Sequence, residues 1–125
     1  MPSIRPIILS PVAFPVFCVG RDKPLLQARL DALAEAGIVA HAMNPEEAEE
    51  FAREPQPRVW VLCHSIELGT LVFLAGCVRR HSPQSRLVLA EGKHATGLAA
   101  SLFHRVISAS DGTETLARQV HEMAA

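Results

Sequence analysis

The chain has 125 residues, of which 49% are hydrophobic, and a formal net charge of -1. This length predicts one domain with its own core, and this composition excludes a disordered or fibrous protein. The near-neutral charge and the scattered arginines give no sign of a nucleic-acid or membrane partner. Three cysteines without a CxxC pair indicate a reducing cytoplasm and argue against a disulfide scaffold or a structural zinc site.

The first 15 residues are interrupted by prolines, and we predict an extended arm over 1–15 that precedes one domain over 16–125. The apolar stretches of the arm are too short to span a bilayer, and they make a poor signal peptide. The arm is either a loose tail or a strap over a hydrophobic patch, for which Ile7, Ile8 and Leu9 are available.

Strands and helices alternate from residue 16 onwards. Val16–Val19 is a short apolar run typical of a buried strand. A first helix follows, with Asp22 as its N-cap and Gly37 at its end. A second strand is predicted over 38–43.

The second helix and the central strand have the strongest local signals. Asn44, with Glu47 three residues later, predicts a helix that begins with a capping box and runs to about residue 53. The apolar run over 58–63 then predicts a strand buried on both faces, with Trp60 inside it and Cys63 at its carboxyl end.

The second half of the chain continues the alternation. Ser65 is predicted to cap a third helix over 66–81, which Pro83 ends. The remaining predicted elements are a strand over 86–90, a short helical piece over 98–103, a strand over 106–108 and a last helix capped by Asp111.

Five strands that alternate with helices predict the α/β class, with helices on both faces of a parallel sheet. Right-handed crossovers favour a flavodoxin-like, doubly wound sheet with the strand order 2-1-3-4-5. Functional groups of such sheets collect where the strands end, and the central strand is followed there by Cys63, His64 and Ser65.

The chain from residue 14 to residue 125 resembles a response-regulator receiver domain. The resemblance is carried by 16–25 for the first strand and turn, 57–63 for the strand that ends in the phosphoacceptor, and 86–91 and 105–110 for the last two strands. It implies a signal-transduction domain. A working receiver holds Mg²⁺ with an acidic pair and a phosphoacceptor Asp, and it also needs a Ser or Thr and a Lys.

At those positions this chain has other residues. Gly20 and Arg21 replace the acidic pair, Cys63 the phosphoacceptor, Ala90 the hydroxyl residue and Ala109 the lysine. Arg21 would repel Mg²⁺, and a soft thiol does not hold it. The resemblance therefore implies a degenerate receiver, or pseudo-receiver. We expect a cytoplasmic, non-enzymatic, phosphorylation-independent module for protein–protein interaction, with no cofactor and no metal.

Two alternatives stay open. Cys63, near Arg21 and His64, is either the reactive thiolate of a redox or small-molecule sensor, or a small buried hydrophobe. Alternation along a strand places Cys63 and His64 on opposite sides, which disfavours a catalytic pair. In the second alternative, an anti-sigma-antagonist-like domain, Ser65 would be a phosphorylated helix cap.

The third helix is more apolar than one sheet-facing side requires. Leu71, Val72, Phe73 and Leu74 are consecutive and spread around more than one face. We expect the excess at the helix edges, where it meets the N-terminal arm, a neighbouring helix or an unidentified partner protein. A homodimer about a two-fold axis is the most specific of these hypotheses.

Overall fold

The computed structural model describes residues 14–63, 65–91, 102–108 and 112–124. The described strands are β1 (Val16–Val19), β2 (Ala40–Met43), β3 (Val59–Cys63), β4 (Arg86–Glu91) and β5 (Arg105–Ser108). The described helices are α1 (Lys23–Glu35), α2 (Pro45–Ala52), α3 (Leu68–His81) and α4 (Gly112–Ala124). All neighbouring strands are parallel, and their order β2-β1-β3-β4-β5 confirms the predicted flavodoxin-like sheet.

Alternation along the central strands divides the core between the two faces of the sheet. Phe17, Trp60 and Leu62 face α2 and α3. Cys18 and Val61 face α1 and α4. β1 and β3 are buried along their whole length, so neither strand has a solvent-exposed face. Both are accordingly continuous apolar runs in the sequence.

The first two helices begin where the sequence predicts. Asp22 Oδ1 accepts a hydrogen bond from Leu25 N at 3.1 Å and caps α1. Asn44 Oδ1 accepts from Glu47 N at 2.8 Å, and Glu47 Oε1 accepts from Asn44 N at 3.2 Å, which completes the capping box of α2. Gly37, with φ 82°, takes the left-handed conformation just after α1.

Several predicted boundaries differ from the structure. β2 begins at Ala40 and not at residue 38, because Ile38 N still bonds to Leu33 O at the end of α1. α3 begins at Leu68, with Glu67 at the N-cap position, so the predicted start at 66 with a Ser65 cap is wrong. The Asp111 cap and residues 98–101 of the predicted helical piece lie outside the described residues.

The last two residues of the predicted arm are attached to the domain. Phe14 N donates to Ala124 O at 3.1 Å, and Val59 N donates to Pro15 O at 2.9 Å. The rest of the predicted arm, 1–13, lies outside the described residues. Among the helices that are described, none is both long enough and apolar enough to cross a bilayer.

Candidate functional site

The turn after β1 meets the end of β3 at the carboxyl edge of the sheet. Gly20 follows β1, and Cys63 ends β3 beside Ala90 of β4. A Cβ atom built on Gly20 would lie only 3.2 Å from both Cβ and Sγ of Cys63. Glycine permits this close approach of the backbone. The Cys63 side chain therefore occupies the space that a side chain at position 20 would need.

Ser65 joins the same two segments. Its Oγ accepts hydrogen bonds from Arg21 N at 3.0 Å and Asp22 N at 3.4 Å. Ile66 N donates to Cys63 O at 3.1 Å and closes a tight turn around Ser65. The hydroxyl that was predicted to cap α3 thus binds the backbone that follows β1.

The Arg21 guanidinium lies between two glutamates. Its Nε is 2.7 Å from Glu67 Oε1 and its Nη2 is 3.1 Å from Glu67 Oε2, which forms a bidentate pair. Its Nη1 is 3.0 Å from Glu46 Oε1. Glu46 lies in the first turn of α2, after β2, and Glu67 lies just before α3, after β3. Arg21 therefore connects the segments that follow three neighbouring strands.

These ion pairs shift the ionisation of both partners. The hydrogen bonds that Arg21 donates to Glu46 and Glu67 raise the pKa of Arg21, and the hydrogen bond from Arg21 lowers the pKa of Glu67. The stabilisation is complete above the ordinary pKa of a glutamate and is lost as the pH falls through the lowered pKa. Because the two glutamates are largely exposed and Arg21 is partly exposed, water and salt screen the attraction, and its main effect is to position the loops.

The residues at this edge do not fit a magnesium ion. Mg²⁺ requires oxygen ligands, but the Asp22 carboxylate caps α1 and those of Glu46 and Glu67 bind Arg21. The Cys63 thiol is too soft a ligand for Mg²⁺. Across the ranges that the structure describes, no group of three or more His, Cys, Asp or Glu side chains could hold a metal ion.

Cys63 is buried rather than activated. It is 1% exposed, and burial raises the pKa of its thiol, although the charge of Arg29 and a hydrogen bond with the Arg29 side chain act in the opposite direction. Burial, together with Cys63, raises the pKa of the neighbouring Cys18 thiol to about 12. Arg21, which the thiolate hypothesis places beside Cys63, is bound to glutamates, and His64 lies outside the described residues. These observations favour the small buried hydrophobe.

Sequence reasoning missed Arg29, a buried arginine on α1. It is 8% exposed, and its Nη1 has no hydrogen-bond partner. Its charge acts on both Cys18 and Cys63, so its guanidinium is close to the two thiols. The available signal was its position between Leu26 and Leu33, at the helical spacing of the buried stripe.

We expect Arg29→Met to raise the free energy of unfolding by about 1–2 kcal/mol, because a buried donor without an acceptor, here Nη1, costs ~1–3 kcal/mol, which exceeds the contribution of a weak hydrogen bond to the Cys63 thiol. Methionine adapts its shape to the same apolar space. Urea unfolding followed by circular dichroism measures the change. Arg118→Met on α4, where the arginine is exposed, is the control and should leave stability unchanged. A destabilised Arg29→Met variant would mean that the guanidinium is satisfied in the folded protein.

An open cleft of about 480 Å³ lies next to Arg21, between α1 and the start of α2. The polar residues that line it include Lys23 and Glu47, and the apolar ones include Leu26 and Met43. Because the lining carries both signs of charge, it favours neither an anionic nor a cationic ligand.

Comparison with solved structures supports the topology independently. A response regulator from Thermotoga maritima is similar to this chain with a TM-score of 0.68 and 16% identity, over 89% of this chain and 98% of that chain. This chain has the receiver-domain fold. The beryllofluoride-activated NtrC4 receiver domain dimer is similar with a TM-score of 0.66 and 15% identity, over 89% of this chain and 98% of that one.

The same fold also occurs in a protein with another activity. Adenylate cyclase from Rhodopirellula baltica is similar with a TM-score of 0.65 and 15% identity, over 88% of each chain. Searches against protein-family models and against curated proteins find no match. Likenesses at these identities establish the receiver fold, while function depends on the residues at the site.

Proposed function

We propose that this protein is a pseudo-receiver, a non-enzymatic signalling module that binds another protein without being phosphorylated. The observation that carries the proposal is the position of the Arg21 guanidinium. This guanidinium lies just after β1, and its ion pairs with Glu46 and Glu67 connect it to the segments that follow β2 and β3. Mg²⁺ and the phosphoryl group are the exchangeable parts of a working receiver site. The Arg21 side chain is permanently charged and is part of the protein chain itself. The loops are therefore held together here without any exchangeable ligand.

The other degenerate positions support the same proposal. Cys63 replaces the phosphoacceptor, and it packs so closely on Gly20 that a side chain there would require Cys63 to shift by a few tenths of an ångström. Ala90, buried in β4, supplies no hydroxyl group. Ala109 lies outside the described residues, and its assignment to the lysine position rests on the sequence pattern.

The carboxylates at this edge favour a binding role over catalysis. Asp22 caps α1, and both Glu46 and Glu67 are paired with Arg21. A general acid or base has to be free to exchange a proton with a substrate, and these three groups are already engaged. We place this binding module in the cytoplasm, where its three cysteines remain as thiols.

Incubation with acetyl phosphate and Mg²⁺ tests the proposal. We expect the intact mass and the melting temperature to stay unchanged, because position 63 has no carboxylate to accept the phosphoryl group and the described residues form no cluster of oxygen ligands for the ion. A receiver domain with a complete acidic pair, Asp and Lys, treated in parallel, is the positive control.

Two variants sharpen this test. Cys63→Asp restores a carboxylate but leaves Arg21 in place, so we expect it to remain unphosphorylated. Cys63→Ser keeps the size of the side chain and is the matched control for folding. An acyl phosphate on the unmodified protein would contradict the proposal.

A further inference from the structure

The start of β5 is held to β4 through a histidine ring. His104 N donates a hydrogen bond to Leu87 O at 2.8 Å, as in an ordinary strand pairing. In the other direction, Leu87 N donates to Nδ1 of the His104 ring at 3.0 Å. The ring nitrogen therefore takes the place of a backbone carbonyl where the pairing begins. Because β5 lies at the edge of the described sheet, its strand pairing there depends on β4 alone.

The donor in this bond fixes the protonation state of the ring. A backbone amide can only donate, so Nδ1 of His104 must present its lone pair, and the proton of the neutral ring is on Nε2. A charged ring has a proton on both nitrogens, and Nδ1 would then face Leu87 N as a second donor. The bond therefore exists only while the ring is neutral. Leu87 is 0% exposed, so its amide would be left in the core without an acceptor.

The charged groups around the ring also disfavour its protonation. Arg79 at the end of α3 donates from Nη1 to Leu102 O at 3.0 Å, beside the segment that leads into β5, and Arg86 begins β4. Loss of water around part of the ring, and then the charges of these two arginines, lower the pKa of His104. The next residue, Arg105, is directed towards α4, where a glutamine side chain accepts its hydrogen bond at 2.8 Å. A charge on the ring would thus join two cations that face it.

We propose that His104 is a pH-operated latch for the edge strand β5. While the ring is neutral, it accepts the Leu87 amide and the strand is closed. When the ring takes up a proton, it leaves Leu87 N and turns to water, and the start of β5 loosens from β4. Protons reach the ring directly, because His104 is exposed. The latch goes beyond the proposed function, since it lies at the opposite end of the sheet from Arg21 and involves no phosphoryl group.

The direction of the pH dependence follows from the lowered pKa. The hydrogen bond stabilises the closed strand fully above the ordinary pKa of a histidine, about 6.5, and this stabilisation is lost as the pH falls through the lowered pKa of His104. In that window the ratio of open to closed strand rises by at most about tenfold per pH unit. A comparison of about pH 7.5 with about pH 5 stays above the ordinary pKa of a glutamate, so the ion pairs of Arg21 persist.

Another histidine, at the end of α3, provides a matched control. His81 Nδ1 lies 3.0 Å from Cys77 O. A carbonyl oxygen can only accept, so this Nδ1 donates, and protonation at Nε2 leaves the bond in place. His81→Asn should therefore leave the pH dependence of β5 unchanged. His104→Asn supplies an amide oxygen close to the former position of Nδ1 and cannot take up a proton, so in this variant β5 should stay closed at both pH values.

Amide hydrogen exchange of the full chain, followed by NMR at about pH 7.5 and about pH 5, tests the latch. After correction for the intrinsic exchange rate, the protection of the Leu87 amide should fall severalfold to about tenfold on acidification. The protection of Val61 in the central strand should not change. In His104→Asn, the Leu87 amide should keep its protection. Unchanged protection of Leu87 in the unmodified protein, or an equal loss in His104→Asn, would overturn the inference.

The nitrogen chemical shifts of the His104 ring test the latch without any substitution. At about pH 7.5, Nδ1 should have the shift of an unprotonated nitrogen and Nε2 that of a protonated one, and the ring should titrate below about pH 6.5. A proton on Nδ1 at the higher pH would mean that the ring does not accept the Leu87 amide, and the latch would be refuted.

Discussion

Trp60→Ala is expected to lower the free energy of unfolding by about 3–5 kcal/mol, the largest effect of any substitution considered for this protein. Trp60 is 1% exposed. Its strand lies between β1 and β4, where it is level with Phe17 and Leu87. Its ring meets the Phe17 ring edge-on, with centroids 5.1 Å apart. Because the strands on both sides are themselves held in the sheet, the cavity left by alanine cannot close.

Chemical denaturation followed by circular dichroism measures this effect, since the chain has one Trp and the variant loses its fluorescence. In the unmodified protein, the emission should be blue-shifted and should move to the red on unfolding. Val39→Ala, in an exposed loop, is the control and should change stability by less than about 0.5 kcal/mol. If Trp60→Ala lowered the free energy of unfolding by no more than the control does, the buried central position of Trp60 would be contradicted.

Arg58→Met is expected to lower the free energy of unfolding by about 2–4 kcal/mol, the second largest effect. Arg58 is buried at the amino end of β3. Its guanidinium donates to Phe51 O at 3.0 Å and Gln56 Oε1 at 2.7 Å, and it pairs with Glu54. It also lies 4.6 Å from the centre of the Phe17 ring. Methionine keeps the apolar stem but loses the hydrogen bonds and the cation–π contact.

The partial exposure of Glu54 limits this cost. Removing one partner of a fully buried pair strands the other charge and costs ~3–5 kcal/mol, but water can reach the Glu54 carboxylate. Arg53→Met is the matched control, because Arg53 forms an exposed i,i+4 pair with Glu49. Such pairs contribute about 0.3–0.5 kcal/mol. Urea unfolding measures both variants. Equal decreases in the free energy of unfolding would contradict a stabilising role for the Arg58 contacts.

The parts of the structure that sequence predicted well depend on contacts within a few residues. The capping box of Asn44 and Glu47 and the Asp22 cap each join atoms three residues apart. The Ser65 cap was wrong because a distant partner competed with the local one. Its hydroxyl binds the Arg21 amide, 44 residues away in sequence. A local rule cannot identify such a partner before the strands are placed side by side.

The third helix also combines features that the sequence predicts with features that only the folded chain determines. Its excess of apolar residues is visible in the sequence, and the structure buries Leu71 and Leu74 while it leaves Val72 and Phe73 exposed. Helical periodicity assigns these four residues to faces, because successive side chains are rotated by about 100°. Whether a glycine on the outer face meets a neighbour depends on the packing of the whole chain, and only the folded structure shows the open space at Gly69 and Gly76.

Apolar runs and caps therefore determined the order of the strands and helices, because the periodicity of each element and its first turn are encoded locally. The sequence also determined that Gly20, Arg21 and Cys63 stand at the sheet edge. Only the tertiary structure decided what these residues do there. Arg21 is 25 residues from Glu46 and 46 from Glu67, and parallel pairing of β2, β1 and β3 brings them together. Ion pairs between residues so far apart in sequence follow from the register of the sheet, which no local pattern specifies.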